Sequence, residues 1–162
     1  KTSTDKEFIP VTSLKDTFIN LNHDFDELTI TPVIPSLVTN MQSTFSRCSN
    51  LENVTNISPN TESLKWTFYQ CTSLQHFNAS IPNNVTNMQF TFNGCTSLQN
   101  FDALIPNSVT NMESTFDGCT NLQNFNSSIP NNVINMFATF SQCQNLTYLD
   151  IIIPKSVTNL QN

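Results

Sequence analysis

The chain has 162 residues, a formal net charge of −6 and only six Lys plus Arg. Nucleic-acid binders and proteins of acidic membrane surfaces carry basic patches, so both partner classes are excluded. No run of about 18 apolar residues is present to span a bilayer, and no charged-then-apolar stretch reads as a signal peptide.

Charged residues make up 11% of the chain, against roughly a quarter in an average soluble domain. Asn, Ser, Thr and Gln take their place. The polarity of the surface therefore comes from amides and hydroxyls.

Residues 1–34 are expected to form a degenerate N-terminal repeat or cap. Val11-Thr-Ser-Leu-Lys-Asp-Thr-Phe18 resembles the later Val38-Thr-Asn-Met-Gln-Ser-Thr-Phe45, with Leu21 where a Cys falls in other units. The segment holds six of the twelve acidic residues: Asp5, Glu7, Asp16, Asp24, Asp26 and Glu27. Asp24-Phe-Asp26-Glu27 lacks the glycine-bearing loop and the later acidic ligand of a calcium site, so it reads as a solvated turn.

From residue 35 onward the chain is a repeat array. Cys48, Cys71, Cys95, Cys119 and Cys143 lie 23, 24, 24 and 24 residues apart, each three residues after a Phe. A fixed period in this range marks a solenoid, in which each unit buries its apolar face only against its neighbours. The clearest unit runs from Pro82 through Val85, Met88, Phe92, Cys95, Leu98 and Phe101 to Ile105. Units starting at Pro106 and Pro130 keep the same register, and the Cys48 and Cys71 units match it with a shift near Pro59.

Leu98-x-x-Phe101 has the spacing of a short strand that turns two apolar side chains inward, and one such strand per coil would stack into a parallel concave sheet. Val85, Met88 and Phe92 fall at i, i+3 and i+7, which predicts a short helical or 3₁₀ segment on the convex side. Asn93-Gly94 and Asp117-Gly118 follow that segment and suit a left-handed residue. The other units place Ser46-Arg47, Tyr69-Gln70 and Ser141-Gln142 there, so a positive φ is not expected in every coil. Ile-Pro pairs at 81–82, 105–106, 129–130 and 153–154 keep the strand exit extended. Stacking is expected to align Phe45, Phe68, Phe92, Phe116 and Phe140 in one core column, beside a column of the five Cys.

The chain stops in Val157-Thr-Asn-Leu-Gln-Asn162, the opening of a sixth unit, so it is expected to be an excised piece of a longer protein. The expected fold is an α/β repeat solenoid, with residues 35–162 forming five Cys-bearing repeats and the start of another.

Ile105-Pro-Asn-Ser-Val109-Thr-Asn-Met112 and Thr115-Phe116-Asp-Gly-Cys119-Thr-Asn-Leu122 resemble the repeats of BspA-type leucine-rich repeat proteins, over about residues 35–162. The resemblance implies a right-handed leucine-rich-repeat coil in an extracellular bacterial or protozoan surface protein. It also implies adhesion to host or microbial proteins, with host matrix or serum proteins as ligands. These units use 24 residues where 23 is common in the family, and Phe or Leu replaces Ile in the strand.

Five thiols in an extracellular protein suggest disulfides, but a residue recurring at one position of every coil reads as a buried, unpaired core column. No Cys-x-x-Cys exists, and the two histidines, His23 and His76, are far apart, so no zinc site is expected. Nucleophile, base and orienting partner cannot be assembled, so no catalysis and no cofactor are expected. Six Asn-x-Ser/Thr sequons, at Asn53, Asn56, Asn78, Asn84, Asn126 and Asn145, read as a consequence of composition.

The candidate binding surface is the concave sheet, where side chains beside the inward Leu and Phe point out. One coil contributes Gln75, His76 and Asn78, and the next Gln99, Asn100 and Asp102. They are followed by Gln123, Asn124 and Asn126, then by Tyr148 and Asp150. Ladders of amides offer both donors and acceptors. The alternative is a spacer that holds other domains off the cell surface, which the near-identical Gln75, Gln99 and Gln123 favour.

Overall fold

The computed structural model describes residues 13–20, 28–30 and 34–161. Within them the chain winds as stacked coils, one per Cys-bearing repeat. Most of the expected cap, including Asp24, Asp26 and Glu27, lies outside the described residues.

Five short strands form on one side of the stack: β1 Leu28–Ile30, β2 Leu51–Val54, β3 His76–Phe77, β4 Asn100–Phe101 and β5 Asn124–Phe125. They pair in parallel as β1-β2-β3 and β4-β5. Asn53 sits beside His76 and Asn100 beside Asn124, offsets of 23 and 24 residues that reproduce the repeat lengths. On an adjacent side a second parallel ladder of single bridges runs Ser13, Asn40, Ser63, Asn87, Asn111, Asn135, Asn159. At most of these steps the side-chain oxygen accepts an amide two residues on, as Asn87 Oδ1 does from Gln89 N–H at 2.8 Å. That bond releases the following amides to point along the stack.

The segment expected to be helical is instead a run of turns, and no helix forms among the described residues. In the Cys95 coil the N–H groups of Met88, Phe90, Phe92 and Gly94 donate to the carbonyls of Asn111, Glu113, Thr115 and Asp117 in the next coil, at 2.8–2.9 Å. The N–H groups of Thr91 and Cys95 close turns onto Met88 and Phe92 within the coil, at 3.1 and 3.0 Å. Alternate amides thus bond along the stack and within the coil, which a helix forbids. Two successive four-residue turns bury Met88, Phe92 and Cys95 at steps of four and three, so the periodicity matched a helix for a different reason.

Each turn places its third residue at positive φ, the type II pattern. At the second turn Arg47 (φ 60°), Gln70 (55°), Gly94 (71°), Gly118 (74°) and Gln142 (56°) all adopt it. The expectation that glycine-free coils escape a left-handed residue is therefore wrong. The first turn repeats the conformation at Ser43, Trp66, Phe90, Ser114 and Ala138, with φ between 47° and 55°. A left-handed non-glycine residue costs roughly 1–2 kcal/mol, and the interlocked ladder holds it there.

The core lies between the strand and turn faces. Phe45, Phe68, Phe92, Phe116 and Phe140 stack with neighbouring centroids 5.5–5.8 Å apart. A second column, Phe77, Phe101 and Phe125, stacks at 5.9 and 5.7 Å. The two columns meet edge to face, as Phe101 and Phe116 do at 4.8 Å and 69°. Such pairs add about 0.5–1.5 kcal/mol beyond area burial. Phe92 and Phe116 are fully buried, whereas Phe140 is only half-buried.

The thiol column lies beside the rings. Cys71, Cys95 and Cys119 are buried, Cys143 is half-buried, and none of these four forms a disulfide. A column that went unread in the sequence is the Thr before each Phe. Thr91 Oγ1 donates to Leu64 O of the preceding coil and Met88 O of its own, at 3.0 and 2.7 Å, and Thr67, Thr115 and Thr139 are buried likewise. Its signal was Thr-Phe-x-x-Cys recurring in every coil.

Candidate functional site

All eleven residues expected on the strand face are exposed: Gln75, His76, Asn78, Gln99, Asn100, Asp102, Gln123, Asn124, Asn126, Tyr148 and Asp150. Their exposure follows from the pleat. In β3, β4 and β5 the Phe turns into the core and the residue before it turns out.

The outward residues are ordered by contacts between coils. Asn124 Nδ2 donates to Asn100 Oδ1 at 2.7 Å, and Asn126 Nδ2 donates to Asp102 Oδ1 at 2.6 Å. Each pair uses one donor and one acceptor, leaving the remaining amide groups and the Asp102 carboxylate open to a ligand. The strand backbones are fixed beneath them, with Asn78 N–H donating to Val54 O at 2.8 Å and Asn126 N–H to Phe101 O at 2.9 Å. Such a surface is preorganised, so binding orders few side chains.

Two expectations change. No strand forms around Tyr148 and Asp150 among the described residues, although the Leu146-x-x-Leu149 spacing predicted one. Leu replaces the inward Phe there, Leu149 is 37% exposed, and the edge-to-face packing that anchors β3–β5 is missing. Tyr148, 75% exposed, stands on irregular backbone at the end of the face rather than in its ladder.

The second change is a cleft of about 810 Å³ at the strand exits of the Cys71 and Cys95 coils. Asn78 and Asp102 line it with Ile57, Ser80 and Leu104. Leu104 is 78% exposed, and the sequence reasoning missed it. Its signal is an apolar residue where the flanking coils carry Ser80 and Ser128.

No titration shift supports acid–base chemistry on this face. The shifted groups are core thiols: burial, then the adjacent thiols, raises Cys71 and Cys95 well above the ordinary thiol value. Cys143 is pushed up to about 12, chiefly by burial. Buried protonated thiols of this kind are poor nucleophiles and poor metal ligands. Among the described residues no group of three His, Cys, Asp or Glu is placed to hold a metal ion, and no helix is long and apolar enough to cross a membrane.

A family model described as the BspA type leucine rich repeat region matches residues 42–162 in six copies. Among solved structures, the chain is similar to a leucine rich cell surface protein from Faecalibacterium prausnitzii. That alignment has 23% identity and a TM-score of 0.52, over 65% of this chain and 33% of the other. It is also similar to a leucine-rich repeat protein from Eubacterium ventriosum, with 20% identity and a TM-score of 0.55, over 77% of this chain and 33% of that one. The chain thus spans about a third of the length of each. No curated protein matches it.

Proposed function

Because this chain belongs to the BspA type leucine rich repeat family, we propose that it is a non-catalytic protein-interaction module of an extracellular or cell-surface protein, binding through its strand face. The observation that carries this reading is the pair of side-chain ladders, Asn100 to Asn124 and Asp102 to Asn126, exposed on a fully buried scaffold. A rigid array of unspent donors and acceptors suits many weak contacts spread over several coils, and added coils enlarge the interface. The cleft beside Asn78 and Asp102 supplies an apolar anchor point, Leu104, within that polar field. Surface placement is supported by the solved relative named as a cell surface protein.

Adhesion to host matrix or serum proteins is the activity we assign to this face. A pull-down with immobilised matrix and serum proteins tests it, comparing the native chain with Asn100→Ala/Asp102→Ala/Asn124→Ala/Asn126→Ala. Retention of the native chain and loss of the variant support the assignment.

One observation favours a spacer role instead. Gln75, Gln99 and Gln123 recur unchanged along the face, whereas a recognition surface varies from coil to coil. Equal or absent retention of both proteins in the pull-down favours the spacer.

A further inference from the structure

Away from the strand face, five side chains gather on the turn face across three coils: Arg47, Lys65, Trp66, Tyr69 and Phe90. The Lys65 ammonium lies 4.3 Å from the Trp66 ring centroid, and Phe90 of the next coil stacks against that ring at 5.9 Å and 25°. The Arg47 guanidinium lies 5.8 Å from the Tyr69 ring centroid, and its Nε donates to Gln70 Oε1 at 3.2 Å. Among the described residues neither cation forms an ion pair.

The cluster is unusual for this chain. It holds the only Trp and one of the two Tyr. Of the four described cations, Lys15, Arg47 and Lys65 stand on this face and only Lys155 lies elsewhere, although Asp16 adjoins Lys15. With a net charge of −6, the rest of the surface repels acidic segments and this patch attracts them. Arg, Trp and Tyr are also the residues in which protein-interface binding energy concentrates.

We propose that this cluster is a second interaction surface, which binds an acidic, extended segment of a protein partner. Carboxylates of the segment pair with Arg47 and Lys65, and its apolar side chains cover the edges of Trp66, Tyr69 and Phe90. Arg47 also lines a groove of about 510 Å³ that passes Gln70, Thr72 and Thr96, whose amide and hydroxyls suit a peptide backbone. Lys65 and Phe90 already occupy the Trp66 ring, which leaves little open face for a sugar to stack on and favours a peptide over an anionic glycan.

Trp66 is the sole tryptophan, so its emission reports on this surface alone. The probes are a short peptide alternating Glu with Leu, its Gln-for-Glu analogue, and heparin as a sulfated glycan. The Glu peptide is expected to shift Trp66 emission saturably, with affinity falling as salt rises; the Gln analogue and heparin are not. Arg47→Ala/Lys65→Ala should weaken binding roughly tenfold with little change in unfolding temperature, because each exposed charge contributes modestly. Arg47→Lys/Lys65→Arg should retain most of it. The strand-face quadruple variant should bind the Glu peptide normally, which separates this surface from the proposed adhesive one. Equal binding of the Gln analogue, saturation by heparin alone, no response at all, or full binding by the double alanine variant would each overturn the proposal.

Discussion

The Sγ of Cys95 donates to the carbonyl oxygen of Phe68, one coil earlier, at 3.1 Å. That same oxygen also accepts the backbone N–H of Cys71 at 3.1 Å. The contact repeats from Cys71 to Phe45, Cys119 to Phe92 and Cys143 to Phe116. The cysteine therefore both fills volume and ties each coil to the one before. Cys95→Ala, which loses the contact and leaves a small cavity, should cost about 1–3 kcal/mol. Cys95→Ser keeps a donor and should cost less; equal losses in urea denaturation would show that volume alone matters.

The thiols also set the alkaline limit of the fold. Burial raises Cys71, Cys95, Cys119 and Cys143 above the ordinary value of 9.0. Below that value folded and unfolded thiols are both protonated, and their contribution to stability is fully present. Above it the unfolded thiols ionise while the buried ones do not, so each removes about 1.4 kcal/mol per pH unit, for Cys143 until about pH 12. Unfolding temperature should be level from neutral pH to about 8.5 and fall steeply beyond. A level profile to pH 10 would contradict the buried column.

Position along the ring column should decide the cost of truncation. Phe92→Ala removes a fully buried ring that touches Phe68, Phe77, Phe101 and Phe116, and should cost roughly 3–5 kcal/mol. Phe140→Ala, at a half-buried ring, should cost about half as much. Denaturant midpoints of the two variants measure the difference directly.

The turn face predicts opposite signs at one column. Gly118→Ala places a Cβ at φ +74° and should destabilise by about 1–2 kcal/mol. Gln70→Gly relieves a left-handed residue at φ 55° against the greater chain entropy of glycine, and should stabilise by up to about 1 kcal/mol. Thermal unfolding of the pair checks both signs, and a stabilising Gly118→Ala would refute the turn assignment.

Much of the architecture was legible because a solenoid writes its register into the sequence. The spacing of Phe, Cys and Leu identified the inward columns, and Leu98-x-x-Phe101 placed β4 and its equivalents. The turn face was misread because paired four-residue turns and a helix bury residues at similar intervals. Only the bonding partners of alternate amides distinguish them, and those lie in the next coil. For the same reason Trp66, Tyr69 and Phe90 were not seen as neighbours: a 24-residue step brings Trp66 to Phe90, and a turn brings Arg47 beneath Tyr69. The exposure of the strand-face residues followed from alternation, whereas the cleft at Leu104 depended on how two strand exits pack.

The most direct test of the strand-face account is adhesion of beads carrying the native chain or the Asn100/Asp102/Asn124/Asn126 alanine variant to immobilised matrix and serum proteins. All four side chains are exposed, so the unfolding temperatures of the two proteins should nearly coincide. The account predicts that native beads adhere and variant beads largely detach. Equal adhesion by two equally stable proteins would contradict it.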